Sequence, residues 1–269
     1  MDESPPATRR FRLDLAYDGR PYAGWQSQPG GDAVQDAVES ALAAICPPIS
    51  SVHGSGRTDA GVSADRQVAH FDAPAAWRMR GGEWARALNT KLPPTIRALA
   101  CREIDPAFHA RFSALEKTYQ YTIATGEVLP PLRHRLAWHQ RGLGPADRLT
   151  AILSGFVGVH DFRAFSAKRH DGRDEERDTT RTLYEASARQ DGEALVLRFR
   201  GSGFLYKMVR FLVGSTVYAV AGRLSPEDLA RLLEGPGDGS KAPYCAPADG
   251  LVLVDVRYPE PFEIPLEPD

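Results

Sequence analysis

Residues 54–64 read GSGRTDAGVSA, and Arg57 and Asp59 are the two side chains there whose types could do chemistry together. In extended backbone a spacing of two puts both on one side of the chain. Glycines at 54, 56 and 61 allow positive-φ turns and a close approach to a ligand. Arginine forks phosphate and stacks on bases, so a guanidinium beside a fixed carboxylate suits chemistry on a nucleotide. The same residues also make an ordinary polar turn with a local ion pair. Two phosphate-binding loops are excluded. A GxGxxG fingerprint starting at Gly54 would need glycine where Asp59 stands, and GxxxxGK[ST] is absent.

The loop needs elements to hold it. Residues 10–17 alternate, with Phe11, Leu13, Leu15 and Tyr17 on one face, which predicts a half-buried strand. Asp32 is placed to cap a helix with apolar residues at Val34, Ala37, Val38, Ala41, Leu42 and Ile45, stopped by Pro47 and Pro48. Strands at 49–53 and 67–72 flank the loop; a helix at 83–92 and a strand at 95–103 complete a first β-α-β-β-α-β unit. Residues 116–125 alternate again, with Tyr119, Tyr121 and Ile123 on one face. A helix follows at 145–157. Strands at 181–189 and 194–200 flank Asp191–Gly192, a strong hairpin signal. An apolar helix at 204–221 carries Lys207 and Arg210. Ser225–Pro226–Glu227–Asp228 starts another helix, with a cap, a first-position proline and acids in the first turn. Residues 251–258 read as a last strand, followed by a proline-rich tail expected to be an arm or disordered. The expectation is an α+β protein of two ferredoxin-like β-α-β-β-α-β halves, joined through a mainly antiparallel sheet with a central cleft. The expected divisions are 9–107 for the half carrying the loop, 108–260 for the second half, and 261–269 as a tail.

Composition narrows the class. The chain has 269 residues, 42% of them hydrophobic, ample for one large or two ordinary domains. No apolar run is long enough to span a membrane, and the first ten residues show no apolar signal region. Cys46, Cys101 and Cys245 are far apart, which fits a reducing cytoplasm rather than a disulfide scaffold. The seven histidines lack zinc-site spacing, so no structural metal is expected. Net charge is −2, which excludes a bulk-basic nucleic-acid coat. Five of the 33 basic residues are lysines and 28 are arginines. Arginine-rich coding alone accounts for many of these. Local clusters point to RNA patches: Arg9/Arg10/Arg12, Arg133/His134/Arg135, Lys168/Arg169/His170 and Lys207/Arg210. Residues 168–180 are densely charged and without apolar period, which predicts a surface loop.

GRTDAGV at 56–62 resembles the catalytic signature of the tRNA pseudouridine synthase A family. Five further segments are similar to that family in order: YDGRPYAGWQ at 17–26, LNTKLPPTI at 88–96, FHARFSALEKTYQY at 108–121, GFLYKMVRFLVG at 203–214 and ADGLVLVDVRYP at 248–259. The resemblance implies the pseudouridine synthase fold and conversion of uridine to pseudouridine in the anticodon arm of tRNA, at positions 38, 39 and 40. It also implies a cytoplasmic homodimer with no cofactor, nucleotide or metal. Asp59 is then the catalytic carboxylate, acting as a nucleophile on sugar or base, or as a base on a sugar proton. Tyr119 and Arg210 are expected to assist it, and Arg57, Tyr119, Lys207, His109 and Arg111 to bind RNA. A cation such as Arg210 within about 4–6 Å keeps a carboxylate ionised against desolvation. Extruding the target base costs a few kcal/mol, which Arg57 could offset by filling its place. Taken alone, Tyr119 reads more readily as a core strand aromatic, and Arg210 on an apolar helix also reads as a structural ion-pair partner. Two positions depart from the family pattern: Ser63, where it has histidine, and Phe211, where it often has asparagine. The alternative function is a tRNA-binding folding helper that kept the scaffold without turnover.

Overall fold

A computed structural model describes residues 7–168, 178–235, 237 and 239–264. The expected charged loop lies mostly outside the described residues, as do Arg169, His170 and the end of the tail. Two compact units divide the chain: residues 1–115 with 253–269, and residues 116–252.

In the first unit the order is β1 (Thr8–Tyr17), α1 (Val34–Ile45), β2 (His53–Gly54), β3 (Ser63–Pro74), α2 (Gly81–Lys91) and β4 (Ile96–Glu103). β1 lies between β3 and β4, antiparallel to both, with Phe11 opposite Phe71 and Glu103. β2 pairs with β3 through His53↔His70 and Gly54↔Ala69. The resulting order, β4-β1-β3-β2, is the ferredoxin-like arrangement expected from the element sequence. The strand expected at 49–53 shrinks to two residues, and the one expected at 67–72 starts earlier, at Ser63. Pro47 and Pro48 just upstream lack the N–H groups a ladder needs.

The apolar face of β1 forms as expected, but the strand is buried on both faces from Phe11 to Leu15, where a half-buried strand was expected. Phe11, Leu13, Leu15 and Tyr17 are buried, and Phe11 stacks on Phe71 at 5.4 Å with Trp84 of α2 against both. α1 buries Val34, Val38, Ala41 and Leu42. It is capped differently from the expectation: Ala33 precedes the first turn, and Asp36 reaches back to accept the Ala33 N–H at 3.0 Å.

The opposite face of this sheet holds charge. Arg12 is completely buried and donates to both oxygens of Asp14, at 3.1 and 2.9 Å. Arg66 adds a bond to Asp14 at 3.0 Å and one to Asp255 at 3.1 Å. The strand that follows late in the chain, described below, brings residues 258–264 over this network. Arg12 donates to the Phe262 carbonyl and Arg66 to the Ile264 carbonyl, each at 2.7 Å. The described part of the proline-rich end is therefore packed, where an arm or a disordered tail was expected. Each carbonyl gives a guanidinium an acceptor in addition to the carboxylates of the sheet.

In the second unit β5 (Glu116–Ala124), β6 (Trp138–His139), α3 (Ala146–Leu153), β7 (Gly158–Asp161), β8 (Thr180–Asp191), β9 (Ala194–Gly201), α4 (Met208–Val220) and α5 (Pro226–Leu233) follow. Strands run in the order β5-β9-β8-β7, all antiparallel, with β6 parallel to β5. Gly192 at φ +56° turns the β8–β9 hairpin where Asp191–Gly192 predicted it. Ser225 accepts from the Asp228 N–H at 3.1 Å, the cap expected for α5, and donates its own N–H to the Asp228 carboxylate at 3.2 Å, which completes a capping box. The closing strand is β10 (Leu251–Arg257), whose residues from Leu253 onward belong to the first unit, beside β3. The fold is α+β with mainly antiparallel strands. No helix among the described residues is long and apolar enough to cross a membrane.

Removing one member of a buried ion pair leaves the other uncompensated, at about 3–5 kcal/mol. Asp14→Ala is expected to lower the urea-unfolding free energy by about that amount. Arg12→Met combined with Asp14→Leu is expected to lose less than Asp14→Ala alone in the same measurement.

Candidate active site

The loop between β2 and β3 is fixed from below by uncharged groups. Ser55 and Gln67 are fully buried and Thr58 is nearly so. The Ser55 hydroxyl donates to Gln67 Oε1 at 2.6 Å; Gln67 Nε2 donates to the Gly56 carbonyl at 3.1 Å and to the Tyr17 hydroxyl at 3.4 Å. That hydroxyl is 2.8 Å from Thr58 Oγ1. Burial pushes the Tyr17 phenol up to about 12, against the opposing pull of Thr58 and Gln67. Thr58 therefore points inward, and the residues on either side of it, Arg57 and Asp59, are the exposed and half-buried ones.

The chain after β1 clamps the same loop. The Trp25 N–H donates to the Thr58 carbonyl at 3.1 Å and the Gly61 N–H to the Tyr22 carbonyl at 3.3 Å. The approach is too close for side chains. A Cβ on Gly19 would lie 1.9 Å from the Val62 carbonyl oxygen, and one on Gly24, which has φ +105°, 2.6 Å from that of Thr58. Glycine is required at Gly24 by both sterics and backbone. The segments YDGRPYAGWQ and GRTDAGV are thus one interlocked structure. Arg57 Nε donates to Gln26 Oε1 at 3.0 Å; Gln26 in turn donates to Gln35 at 2.6 Å, and Gln35 to Glu39 at 2.8 Å. Ser63, one of the two departures, accepts the Gly19 N–H at 3.0 Å, so a short hydroxyl serves the clamp here. The segment at 88–96 also turns out to brace: Asn89 exchanges two hydrogen bonds with Ala98, and Thr95 meets the Tyr22 hydroxyl at 2.6 Å.

His109 and Arg111 lie in the same unit. The Arg111 N–H donates to His109 Nδ1 at 3.1 Å. The structure adds two histidines that no motif singled out. The His70 ring centroid is 5.0 Å from His53 and 4.6 Å from His109, and His70 Nδ1 accepts the Ala110 N–H at 3.2 Å. Burial, then the positive charge of Arg10 and the neighbouring imidazoles, lowers His70 to about 4. His109 is lowered too, by burial and then by His53 and Arg10. Strand pairing makes this cluster: His53 and His70 are opposite each other in β2 and β3, a register that no local pattern in the sequence signals. No group of three or more His, Cys, Asp or Glu among the described residues could hold a metal ion.

Tyr119, Lys207 and Arg210 belong to the second unit. Tyr119 is 7% exposed on β5, opposite Phe199, with the Phe204 ring edge-on at 5.0 Å. Arg210 is in the first turn of α4; its Nε donates to the Ala246 carbonyl at 2.7 Å, and the Ala246 N–H returns a bond to the Arg210 carbonyl at 3.0 Å. α4 begins at Met208 rather than 204, because Lys207 takes φ +62°. A left-handed lysine is uncommon and marks stored strain. Its ammonium sits over the Tyr206 ring at 5.1 Å. Phe211 is half-buried in α4, and nothing in the structure explains its departure from the family pattern.

The family described as tRNA pseudouridine synthase matches residues 152–259. A protein of Akkermansia muciniphila named tRNA pseudouridine synthase A is 47% identical, over 93% of this chain and 96% of its own. The chain belongs to the tRNA pseudouridine synthase A family. Similar proteins of the same name occur in Geobacter sp. strain M21, 39% identical over 94% of this chain and 100% of its own, and in Solidesulfovibrio magneticus, 43% identical over 94% and 92%. Both the interlocked loop of the first unit and the Arg210 helix of the second therefore stand in a chain related to that family along nearly all its length.

Two outcomes follow. Gly24→Ala is expected to cost roughly 1–3 kcal/mol in urea unfolding and to speed amide exchange across residues 54–64. Gly31→Ala, at φ +69° with open space around it, is expected to leave loop exchange unchanged. His70, ordinarily near 6.5 when unfolded and about 4 when folded, binds fewer protons in the native state between those values. Its contribution to stability is complete above about 6.5 and is lost as pH falls toward about 4. The urea midpoint is expected to drop over that window, and less steeply in His70→Asn.

Proposed function

We propose that this chain isomerises uridine to pseudouridine in the anticodon stem-loop of tRNA, at positions 38, 39 and 40, with Asp59 as the catalytic carboxylate. The observation that carries the reading is the likeness to relatives named tRNA pseudouridine synthase A across 93–94% of the chain. The reaction breaks the bond between ribose C1′ and uracil N1, turns the base, and joins C1′ to C5. N1 gains a proton and C5 gives one up. Asp59 takes part by attacking the sugar or the base, or by removing a sugar proton. It sits on a loop whose backbone is pinned on both sides, so its carboxylate is positioned before substrate arrives.

Arg57, tethered through Nε to Gln26, holds the extruded nucleotide or fills the space it leaves. Tyr119 stacks on the uracil and offers its hydroxyl as a proton relay. Arg210 is the cation that keeps Asp59 ionised, a role that requires the two within about 4–6 Å in the substrate complex. Lys207, His109 and Arg111 contact the RNA, giving an affinity that falls with salt. The scheme uses no cofactor, nucleotide or metal, and assigns the enzyme to the cytoplasm as a homodimer.

Unmodified tRNA tritiated at uracil C5 tests the assignment directly. The native protein is expected to release tritium; Asp59→Ala is expected to release it about 10⁴-fold more slowly or not at all while still binding tRNA. Release by Asp59→Ala at the native rate rejects the role of Asp59. Binding by the native protein without release favours the folding-helper alternative. Sedimentation at working concentration checks the dimer, which a single monomeric species contradicts.

A further inference from the structure

The rings of His53, His70 and His109 continue into a fourth. Phe112 lies with its centroid 4.3 Å from that of His109. It is 75% exposed, against 36% for Trp77 and 43% for Tyr184, the other exposed large aromatics among the described residues. Fold stability gives little reason for that exposure, since an open ring removes little apolar surface from water. The ring is nevertheless held in place. His109 Nδ1 accepts the Phe112 N–H at 3.3 Å along with that of Arg111. The Ser113 N–H donates to the His109 carbonyl at 2.9 Å, and the His109 N–H to the Ser113 hydroxyl at 3.0 Å. Polar bonds fix the turn and leave most of Phe112 open to solvent.

The surroundings specify what that face would accept. The rings of His109 and His70 stand behind Phe112, and burial disfavours their charged forms. Positive charge stands over the ring: the Arg111 guanidinium is 5.6 Å from the Phe112 centroid. Asp72, a carboxylate near the cluster, is engaged on both oxygens by Arg10 at 2.8 Å. An exposed aromatic ring with a guanidinium within reach matches a nucleobase and its adjoining phosphate. A protein partner covering the ring would also bury Arg111, which needs a carboxylate to compensate it.

We propose that Phe112 is a stacking face for an unpaired nucleobase of the tRNA, other than the uridine being isomerised, with Arg111 meeting the neighbouring phosphate. The inference rests on the proposed tRNA substrate and adds a second point of grip, outside the reacting nucleotide.

Fluorescence anisotropy of the full-length protein with an end-labelled unmodified tRNA transcript tests it, across a salt series. Phe112→Ala is expected to raise Kd about 5- to 150-fold, the range for loss of one base–aromatic stack, without changing the slope of log Kd against log salt. Phe112→Tyr is expected to stay within about threefold of the native protein, because the stacking face is kept. Arg111→Ala is expected to reduce the salt slope by about one phosphate contact. A Kd for Phe112→Ala within about twofold of native, or an equal loss in Phe112→Tyr, overturns the stack. So does a dimer that becomes monomeric in Phe112→Ala with tRNA affinity unchanged, which would assign the ring to a second copy. Native protein that binds tRNA without releasing tritium defeats the activity while leaving the Kd comparison decisive for Phe112; native protein that binds no tRNA overturns both.

Discussion

Thr58 is the residue on which the candidate chemistry depends, although it carries none. Its hydroxyl faces the Tyr17 phenol and its carbonyl accepts the Trp25 N–H. A loop residue held at both side chain and backbone loses most of its freedom to rotate. The cost of ordering it, roughly 1–2 kcal/mol per residue for the backbone, is met when the protein folds rather than when substrate binds. Neighbours in extended chain point opposite ways, so fixing Thr58 inward fixes Arg57 and Asp59 together. The clamp explains the two glycines of the segment 17–26. Gly19 and Gly24 are the places where one backbone passes within bonding range of another.

The arginines divide by environment more than by number. Arg9, Arg10 and Arg12, a basic cluster in the sequence, are engaged in structure. Arg9 binds Glu103 and the carbonyls of Trp77 and Met79; Arg10 binds Asp72 and the carbonyls of Pro106 and Phe108; Arg12 is sealed against Asp14. These are cross-strand and strand-to-loop ties, and a guanidinium can make them because its five donors reach a carboxylate and two carbonyls at once. Alternation along β1 separates Arg10 and Arg12 from the apolar face but says nothing about what covers the other side. That cover, residues 258–264, comes from the far end of the chain.

Legibility in the sequence followed the range of the interactions. The apolar face of β1, the α5 cap and the β8–β9 turn depend on residues within a few positions of one another, and they formed where the pattern put them. Element order in the first unit was enough to anticipate its strand order. What the pattern missed was set at long range. β3 runs upstream to Ser63 because Tyr17 pairs with Ala64 there. α4 starts late because Lys207 is left-handed, which no propensity favours. The imidazole cluster needs residues 53, 70 and 109 to be neighbours in space. At the site, Arg57 and Asp59 could be named from type and spacing, whereas Ser55, Thr58 and Gln67 could not, being ordinary polar residues until the fold buries them.

The floor under the loop has an electrostatic consequence of its own. Ser55, Thr58 and Gln67 do not ionise, and Tyr17, pushed up to about 12 by its burial, keeps its proton throughout the range in which enzymes work. A buried charge in that position would act on Asp59 through a medium of low effective dielectric, where it is felt strongly. A neutral hydrogen-bonded floor contributes fixed dipoles and no titration. Loop geometry and loop charge are thereby separated. The floor sets the first and adds no titrating group beneath the loop in the range in which enzymes work.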